Sequence, residues 1–139
     1  MDFITDTIAI GNYLDAEDTR QCSASGIRSM ICLNGKLKGC QPEAIGLDAL
    51  KNYDLKDGPG NNPEIFLRAV NSVAEFSKRH PKLLVFCHAG RSRSVIVVAA
   101  HLMRANGWSA EEAIALVASK REIAITAGIE TLLQNLRRK

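Results

Sequence analysis

The chain has 139 residues, 46% of them apolar and 24% charged, which is typical of one globular domain with a single core. The formal net charge of +3 is too small to indicate the dense basic surface of a nucleic-acid-binding protein. No apolar run approaches the about 20 residues that cross a bilayer, and the first ten residues lack the features of a secretion signal. We therefore expect one monomeric, cytoplasmic domain over residues 1–139, without a nucleic-acid partner or membrane insertion.

Apolar and β-branched residues in the first half of the chain predict a series of short elements. Residues 3–14 predict one or two strands, and residues 15–26 predict a short helix that ends at Gly26. A compact apolar run over residues 29–34 predicts a buried strand, and a helix is expected to begin near Pro42. A further strand is expected within residues 50–57.

The second half of the chain carries clearer boundaries. Residues 62–64 (Asn-Pro-Glu) are typical of a helix start, and apolar residues at spacings of three and four continue that helix to residue 80. Residues 82–86 predict a buried strand, residues 95–106 a helix, residues 109–121 a second helix with a capping box, and residues 127–136 a third. Strands that alternate with helices indicate an α/β domain with a largely parallel sheet.

The four cysteines give no sign of a metal site or a redox pair. No two of the cysteines have only two residues between them, so the C-x-x-C spacing of zinc ligands and redox dithiols is missing. The cysteines are Cys22, Cys32, Cys40 and Cys87. Since the sequence carries no secretion signal, free thiols in a reducing compartment are expected.

Residues 85–94, VFCHAGRSRS, place a cysteine and two arginines between a buried strand and a helix. In such a loop, successive backbone N–H groups and the helix dipole create a positive potential that holds an anion. Gly90 lets the backbone turn inward, and the same potential favours the thiolate of Cys87. Arg93 supplies a planar fork that matches two phosphate oxygens. Together these groups indicate phosphoryl transfer that needs neither a metal nor a cofactor.

The motif Cys-x2-Gly-x2-Arg-Ser resembles that of the dual-specificity branch of the cysteine-dependent protein tyrosine phosphatase superfamily. Residues 8–34 are similar to the first strands and helix of that family, and residues 101–121 to the two helices that follow its loop. The resemblance implies a single-domain protein tyrosine phosphatase-like fold, with a central, mostly parallel mixed sheet of four to five strands flanked by helices. It also implies hydrolysis of phosphomonoesters, on phosphotyrosine and on phosphoserine or phosphothreonine in proteins, through a cysteinyl-phosphate intermediate.

The resemblance also implies a role for each residue of the motif. Cys87 attacks phosphorus, and Ser94 donates a hydrogen bond that eases departure of the thiolate in the second step. The phosphate is expected to be bound by the loop residues His88, Ala89, Gly90, Arg91, Ser92 and Arg93.

The family also uses an aspartate from a separate upstream loop, which protonates the leaving oxygen and then deprotonates the attacking water. Two residues compete for this role. Asp57 lies in a glycine- and proline-rich loop just before the helix that starts near residue 63, where the family places its acid, whereas Asp54 lies inside the predicted strand. We therefore expect Asp57 to be the acid, with Asp54 as the alternative.

One departure from the family pattern leaves a second interpretation open. Phe86 occupies the position where family members usually have a histidine that orders the loop and poises the thiolate. A phosphate-binding protein without catalysis is therefore an alternative to the enzyme.

Two further alternatives concern the reaction and its substrate. Arg91, and His88 when protonated, add positive charge to the loop. The loop and the following helices are also similar to those of mitochondrial-type phosphatidylglycerophosphate phosphatases. The alternative substrate is therefore a phospholipid headgroup of the phosphatidylglycerophosphate or phosphoinositide type. A rhodanese-like sulfurtransferase also places a cysteine before a helix, but its arginine usually comes one residue earlier, where this chain has Ser92.

Overall fold

Short strands and helices alternate along the computed structural model, which describes residues 1–136 apart from the side chain of residue 135; residues 137–139 of the expected domain lie outside the described part. The strands are β1 (Asp2–Phe3), β2 (Ile8–Gly11), β3 (Ser29–Cys32), β4 (Ala49–Asn52) and β5 (Leu83–Phe86). The α-helices are α1 (Tyr13–Glu17), α2 (Thr19–Ala24), α3 (Pro63–Arg79), α4 (Arg93–Asn106), α5 (Ala110–Lys120) and α6 (Thr131–Leu136).

The five strands form one mixed sheet in the order β1-β2-β5-β3-β4. Only the β1–β2 pair is antiparallel, and β5 lies at the centre with parallel neighbours on both sides. In the register of these pairs, Val85 lies beside Ile10 on one side and Ile31 on the other. The predicted α/β fold with a mostly parallel sheet of four to five strands is confirmed.

Helices cover both faces of the sheet and divide the core in two. Successive strand residues point to opposite faces, so Val85 packs into the larger cluster, beneath α3 to α6, and Leu84 into the smaller one, beneath α1 and α2. The carboxyl ends of the parallel strands meet at one edge of the sheet. The segment after the central strand β5 therefore emerges between two helical layers, where α/β proteins bind ligands.

The first predicted helix is in fact two. Asp18 ends α1, where its N–H donates to the carbonyl oxygens of Leu14 and Asp15, and it caps α2, where its side chain accepts from the N–H of Gln21. Because Asp18 both closes α1 and opens α2, no loop separates the two helices, and the spacing of apolar residues does not show where the first one ends. The single helix expected over residues 15–26 was therefore wrong in detail.

Three other boundaries also differ from the prediction. The helix expected near Pro42 is one 3-10 turn, Pro42–Ile45, which ends at a left-handed Gly46. Strand β4 ends at Asn52, so Asp54 is exposed beyond the strand rather than inside it. Helix α6 begins four residues later than predicted, after Gly128 has turned the chain with φ +98°.

Within residues 1–136, no helix combines the length and the apolar character that a membrane span requires.

One titratable group between α3 and α4 predicts a pH dependence of stability. Burial, followed by the nearby cations Arg104 on α4 and Lys78 on α3, lowers the pKa of His101 below its ordinary value. Folding then disfavours the protonated imidazole. The resulting stability is present above the unfolded pKa of about 6.5 and is lost as the pH falls through the folded value.

We expect the free energy of unfolding to fall between about pH 7.5 and about pH 5.5, and His101→Gln to reduce that fall. Urea denaturation of the two proteins across this range measures the difference. A parallel loss of stability in both proteins would show that His101 does not cause the pH dependence.

Candidate active site

Cys87 is the first residue after the central strand β5. The N–H of Leu33 donates to the carbonyl oxygen of Phe86 at 2.9 Å, so β3 supports the chain up to the cysteine. Because side chains alternate along the strand, Phe86 is buried in the smaller core cluster, whereas the side chain of Cys87 lies on the other face and is 2% exposed. The buried thiol is thus placed at the floor of the loop that joins β5 to α4.

Donors from outside the loop hold the loop carbonyls away from the thiol. The N–H of Tyr13, the first residue of α1, donates to the carbonyl oxygen of His88 at 3.1 Å, and the N–H of Ala124 donates to that of Arg91 at 3.0 Å. In a planar trans peptide, the N–H points opposite to the C=O. The N–H groups of Ala89 and Ser92, which follow those carbonyls, therefore point away from Tyr13 and Ala124, and both Ala89 and Ser92 line the cavity described below.

Gly90 lies where the loop presses against strand β2. Its φ is +69°, and a Cβ atom there would lie 2.4 Å from the carbonyl oxygen of Gly11. A side chain would therefore clash with backbone and strain the left-handed conformation, so only glycine fits.

Helix α4 begins at Arg93, so its N-terminal N–H groups and the positive end of its dipole face the loop. The Arg93 guanidinium is anchored through Nη1, which donates to the carbonyl oxygen of Leu55 at 3.2 Å. Arg93 Nε and the buried hydroxyl of Ser94 have no hydrogen-bond partner among the described residues. Buried polar groups are normally paired, so these two are suited to an anionic ligand.

A cavity of about 280 Å³ opens above the thiol. It is lined by Asp57, Cys87, His88, Ala89, Arg91, Ser92, Arg93 and Ala124. Asp57 reaches this cavity from the loop between β4 and α3, whereas Asp54 is not among the lining residues.

The loop that carries Asp57 is held by the side chain of Asn61. The Asn61 amide accepts from the N–H of Lys56 at 2.7 Å and donates to the carbonyl oxygens of Lys56 and Gly58 at 2.9 and 3.1 Å. These three bonds span the segment on both sides of Asp57. The side chain of Asp57 is thus presented to the cavity from a braced turn.

Aromatic and charged groups contact two residues that line the cavity, His88 and Arg91, and we call these groups the rim. The His88 ring stacks on the ring of Tyr13, with centroids 4.7 Å apart and planes at 13°, and Lys36 Nζ lies 5.0 Å from the Tyr13 centroid. Arg91 forms an exposed ion pair with Glu122 at 3.5 Å. His88 and Arg91 belong to the predicted loop, whereas Tyr13 comes from a distant segment and was not predicted to lie beside it.

The other thiols lie away from this cavity, and all four cysteines are free. Cys32 is fully buried in the smaller core cluster, on the face of the sheet opposite to Cys87. The Cys22 thiol lies 3.3 Å from the carbonyl oxygen of Asp15, and burial, then the carboxylates of Asp18 and Asp15, raise its pKa. Cys22 is thereby kept as a neutral thiol, which is a poor nucleophile.

Comparison with known proteins gives a family match over most of the chain. The model of the dual specificity phosphatase catalytic domain matches residues 19–137. Among curated relatives, dual specificity protein phosphatase 1 of Arabidopsis thaliana is 26% identical over 91% of this chain, and tyrosine-protein phosphatase yvh1 of Schizosaccharomyces pombe is 37% identical over 85%. Dual specificity phosphatase 28 of Mus musculus is 31% identical over 87% of this chain and 73% of its own length. The chain spans only 64% of the Arabidopsis protein and 35% of the yeast protein.

Solved structures share the fold. The crystal structure of human DUSP28 superposes with a TM-score of 0.85 at 22% identity, over 99% of this chain and 96% of that one. The crystal structure of PTPMT1 in complex with PI(5)P superposes with a TM-score of 0.75 at 23% identity, over 97% and 92% of the two chains. At these identities, the superpositions establish the common architecture alone. The family match over residues 19–137 establishes more: the chain belongs to the dual specificity phosphatase catalytic domain family.

Proposed function

We propose that the protein is a cysteine-dependent phosphatase that hydrolyses phosphomonoesters of proteins, on phosphotyrosine and on phosphoserine or phosphothreonine. The observation that carries this proposal is that Cys87, Arg93 and Asp57 line the same cavity. In this cavity, a phosphate group would meet a nucleophile, a bidentate cation and a proton donor, supplied by Cys87, Arg93 and Asp57 in that order.

In the first step, the Cys87 thiolate attacks phosphorus and forms an S–P bond while the P–O bond to the leaving group breaks. The N–H groups of residues 88–93 and the Arg93 guanidinium bind the equatorial oxygens, whose charge they stabilise. Asp57 gives its proton to the departing oxygen, so the product leaves as a neutral alcohol or phenol.

In the second step, water attacks phosphorus and the S–P bond breaks, which releases inorganic phosphate. Asp57, now a carboxylate, takes the proton of the attacking water, and the electron pair of the S–P bond returns to Cys87 as a thiolate. The buried Ser94 hydroxyl, which has no partner among the described residues, donates a hydrogen bond to this thiolate. The cycle consumes one water and regenerates both side chains.

Backbone contacts behind the loop can replace one role of the usual histidine. The side chain of Phe86, at the position of that histidine, is buried in the core and has no hydrogen-bonding group to order the loop. The backbone N–H groups of Tyr13 and Ala124 hold two loop carbonyls instead. These contacts support the phosphatase proposal despite the missing histidine.

The rim supports a second candidate, a phospholipid phosphatase of the phosphatidylglycerophosphate or phosphoinositide type. Arg91 and His88 line the cavity and Lys36 lies over the neighbouring Tyr13 ring, so two cations and an imidazole lie near the phosphate site in addition to Arg93, which suits a headgroup with a second anionic group. However, the Arg91 charge is already paired with Glu122. We therefore keep protein phosphate as the first candidate.

We also propose that the protein acts as a monomer in the cytoplasm. All four cysteines are free, which suits a reducing compartment. The cavity is lined within one chain and needs no second copy.

Replacement of the proposed acid should depend on the leaving group. We expect Asp57→Asn to lower kcat/KM for phenyl phosphate about 10²- to 10⁴-fold, because phenolate leaves poorly without a proton. The loss should be smaller for p-nitrophenyl phosphate, whose phenolate leaves more readily. Asp54→Asn is the matched control, since Asp54 does not line the cavity, and Cys87→Ser is the blank. A loss in Asp54→Asn with normal turnover in Asp57→Asn would reverse the assignment.

A substrate panel separates the two candidates. Phosphotyrosine and phosphothreonine peptides are compared with vesicles that contain phosphatidylglycerophosphate or phosphoinositides, and phosphate release is measured. We expect the highest kcat/KM on a phosphopeptide. A preference of about tenfold or more for a lipid, equivalent to about 1.4 kcal/mol, would instead establish the headgroup as the substrate.

A further inference from the structure

Arg121 follows the last residue of α5 and reaches the back of the phosphate-binding loop. Its Nε donates to the carbonyl oxygen of Gly90 at 2.9 Å, and its Nη1 donates to the carbonyl oxygen of Ile10 at 2.9 Å. Nη1 also pairs with a carboxylate oxygen of Asp2 at 2.8 Å. Only 10% of the Arg121 side chain is exposed, so the guanidinium is fixed between the loop, strand β2 and strand β1.

The hydrogen bond to Gly90 determines the direction of the next N–H group. The C=O of Gly90 and the N–H of Arg91 belong to one planar peptide and point in opposite directions. Arg121 holds the carbonyl at the back of the loop, so the N–H of Arg91 is turned towards the cavity that Arg91 lines. A loss of this bond would leave the peptide free to rotate and would remove one donor from the anion site.

The close packing behind Gly90 leaves little room for another arrangement. A Cβ atom at Gly90 would lie 2.9 Å from Arg121 Nη2, as well as against the backbone of Gly11. The carbonyl oxygens of His88 and Arg91 are held by backbone N–H groups, which a substitution leaves in place. Gly90 differs because a side chain holds its carbonyl. The effect of that bond can therefore be tested by substitution.

We propose that Arg121 is a positioning residue, which aims the N–H of Arg91 at the substrate phosphate through its hydrogen bond to the carbonyl oxygen of Gly90. Arg121 is not among the residues that line the cavity, and its Nε and Nη1 donors point to the backbone and to Asp2, so we place it behind the loop and not against the substrate. This inference rests on the proposed phosphatase function and adds a residue that orients the oxyanion donors. We therefore expect substitution of Arg121, which lies 31 positions from Gly90, to weaken the binding of tetrahedral and trigonal-bipyramidal oxyanions.

The test compares Arg121→Met, Arg121→Gln and Asp2→Asn with the wild-type protein. Removal of one oxyanion donor typically costs about 10²- to 10³-fold in kcat. For a misdirected donor, we expect Arg121→Met, which has no donor for Gly90, to lower kcat/KM about 10- to 100-fold. Inhibition by orthovanadate should weaken by a similar factor. Arg121→Gln places an amide N–H donor at the side-chain position of Arg121 Nε, so it should restore part of both. Asp2→Asn removes the ion pair alone and should stay within about twofold of wild type.

Thermal unfolding of each variant separates positioning from a structural role. If Arg121→Met lowers Tm but its folded form binds orthovanadate as tightly as the wild-type protein, the positioning role is wrong. If the wild-type protein binds orthovanadate but hydrolyses no phosphomonoester, the phosphatase proposal fails, and orthovanadate affinity still decides the role of Arg121. A wild-type protein that binds no orthovanadate overturns both.

Discussion

The anion site depends on the direction of a few peptide planes between Cys87 and Arg93. An N–H group turns inward only where the preceding C=O is held outward. Donors from two other parts of the chain hold these carbonyl groups: Tyr13 at the start of α1, and residues 121–124 after α5. The positive potential at the thiol is therefore a property of the whole fold. A peptide of the same loop sequence would satisfy its carbonyls with water and would form no such site.

The sheet provides the geometry that brings these parts together. Strand β5 is central, and its parallel neighbours end at the same edge, so the loop after β5 lies between the start of α1 and the turns after β3 and β4. Asp57 arrives from the turn after β4, which the Asn61 amide braces. The nucleophile is thus buried at a rigid strand end, while the proposed acid lies on a loop. This division suits a group that must exchange protons with substrate and water.

The parts of the site that are continuous in sequence could be predicted, whereas the parts that depend on tertiary contacts could not. The Asn62 cap of α3 and the capping box of α5 each lie within a few residues and form as predicted. The loop from Cys87 to Ser94 joins a strand to a helix, as expected, although α4 begins at Arg93, two residues earlier than predicted. Asp54 was assigned to a strand because β-branching and apolar spacing do not mark where a short strand ends. Arg121 carries no local signal at all, since its acceptors lie 31 and more residues away.

The most direct test of the account is to trap the covalent intermediate. We expect rapid quenching of the Asp57→Asn variant during turnover of p-nitrophenyl phosphate, whose leaving group departs without the acid, to leave one phosphoryl group on the peptide that contains Cys87. Mass spectrometry identifies the labelled residue, and Cys87→Ser should carry no label. A phosphoryl group on another residue, or undiminished hydrolysis by Cys87→Ser, would contradict the cysteinyl-phosphate mechanism.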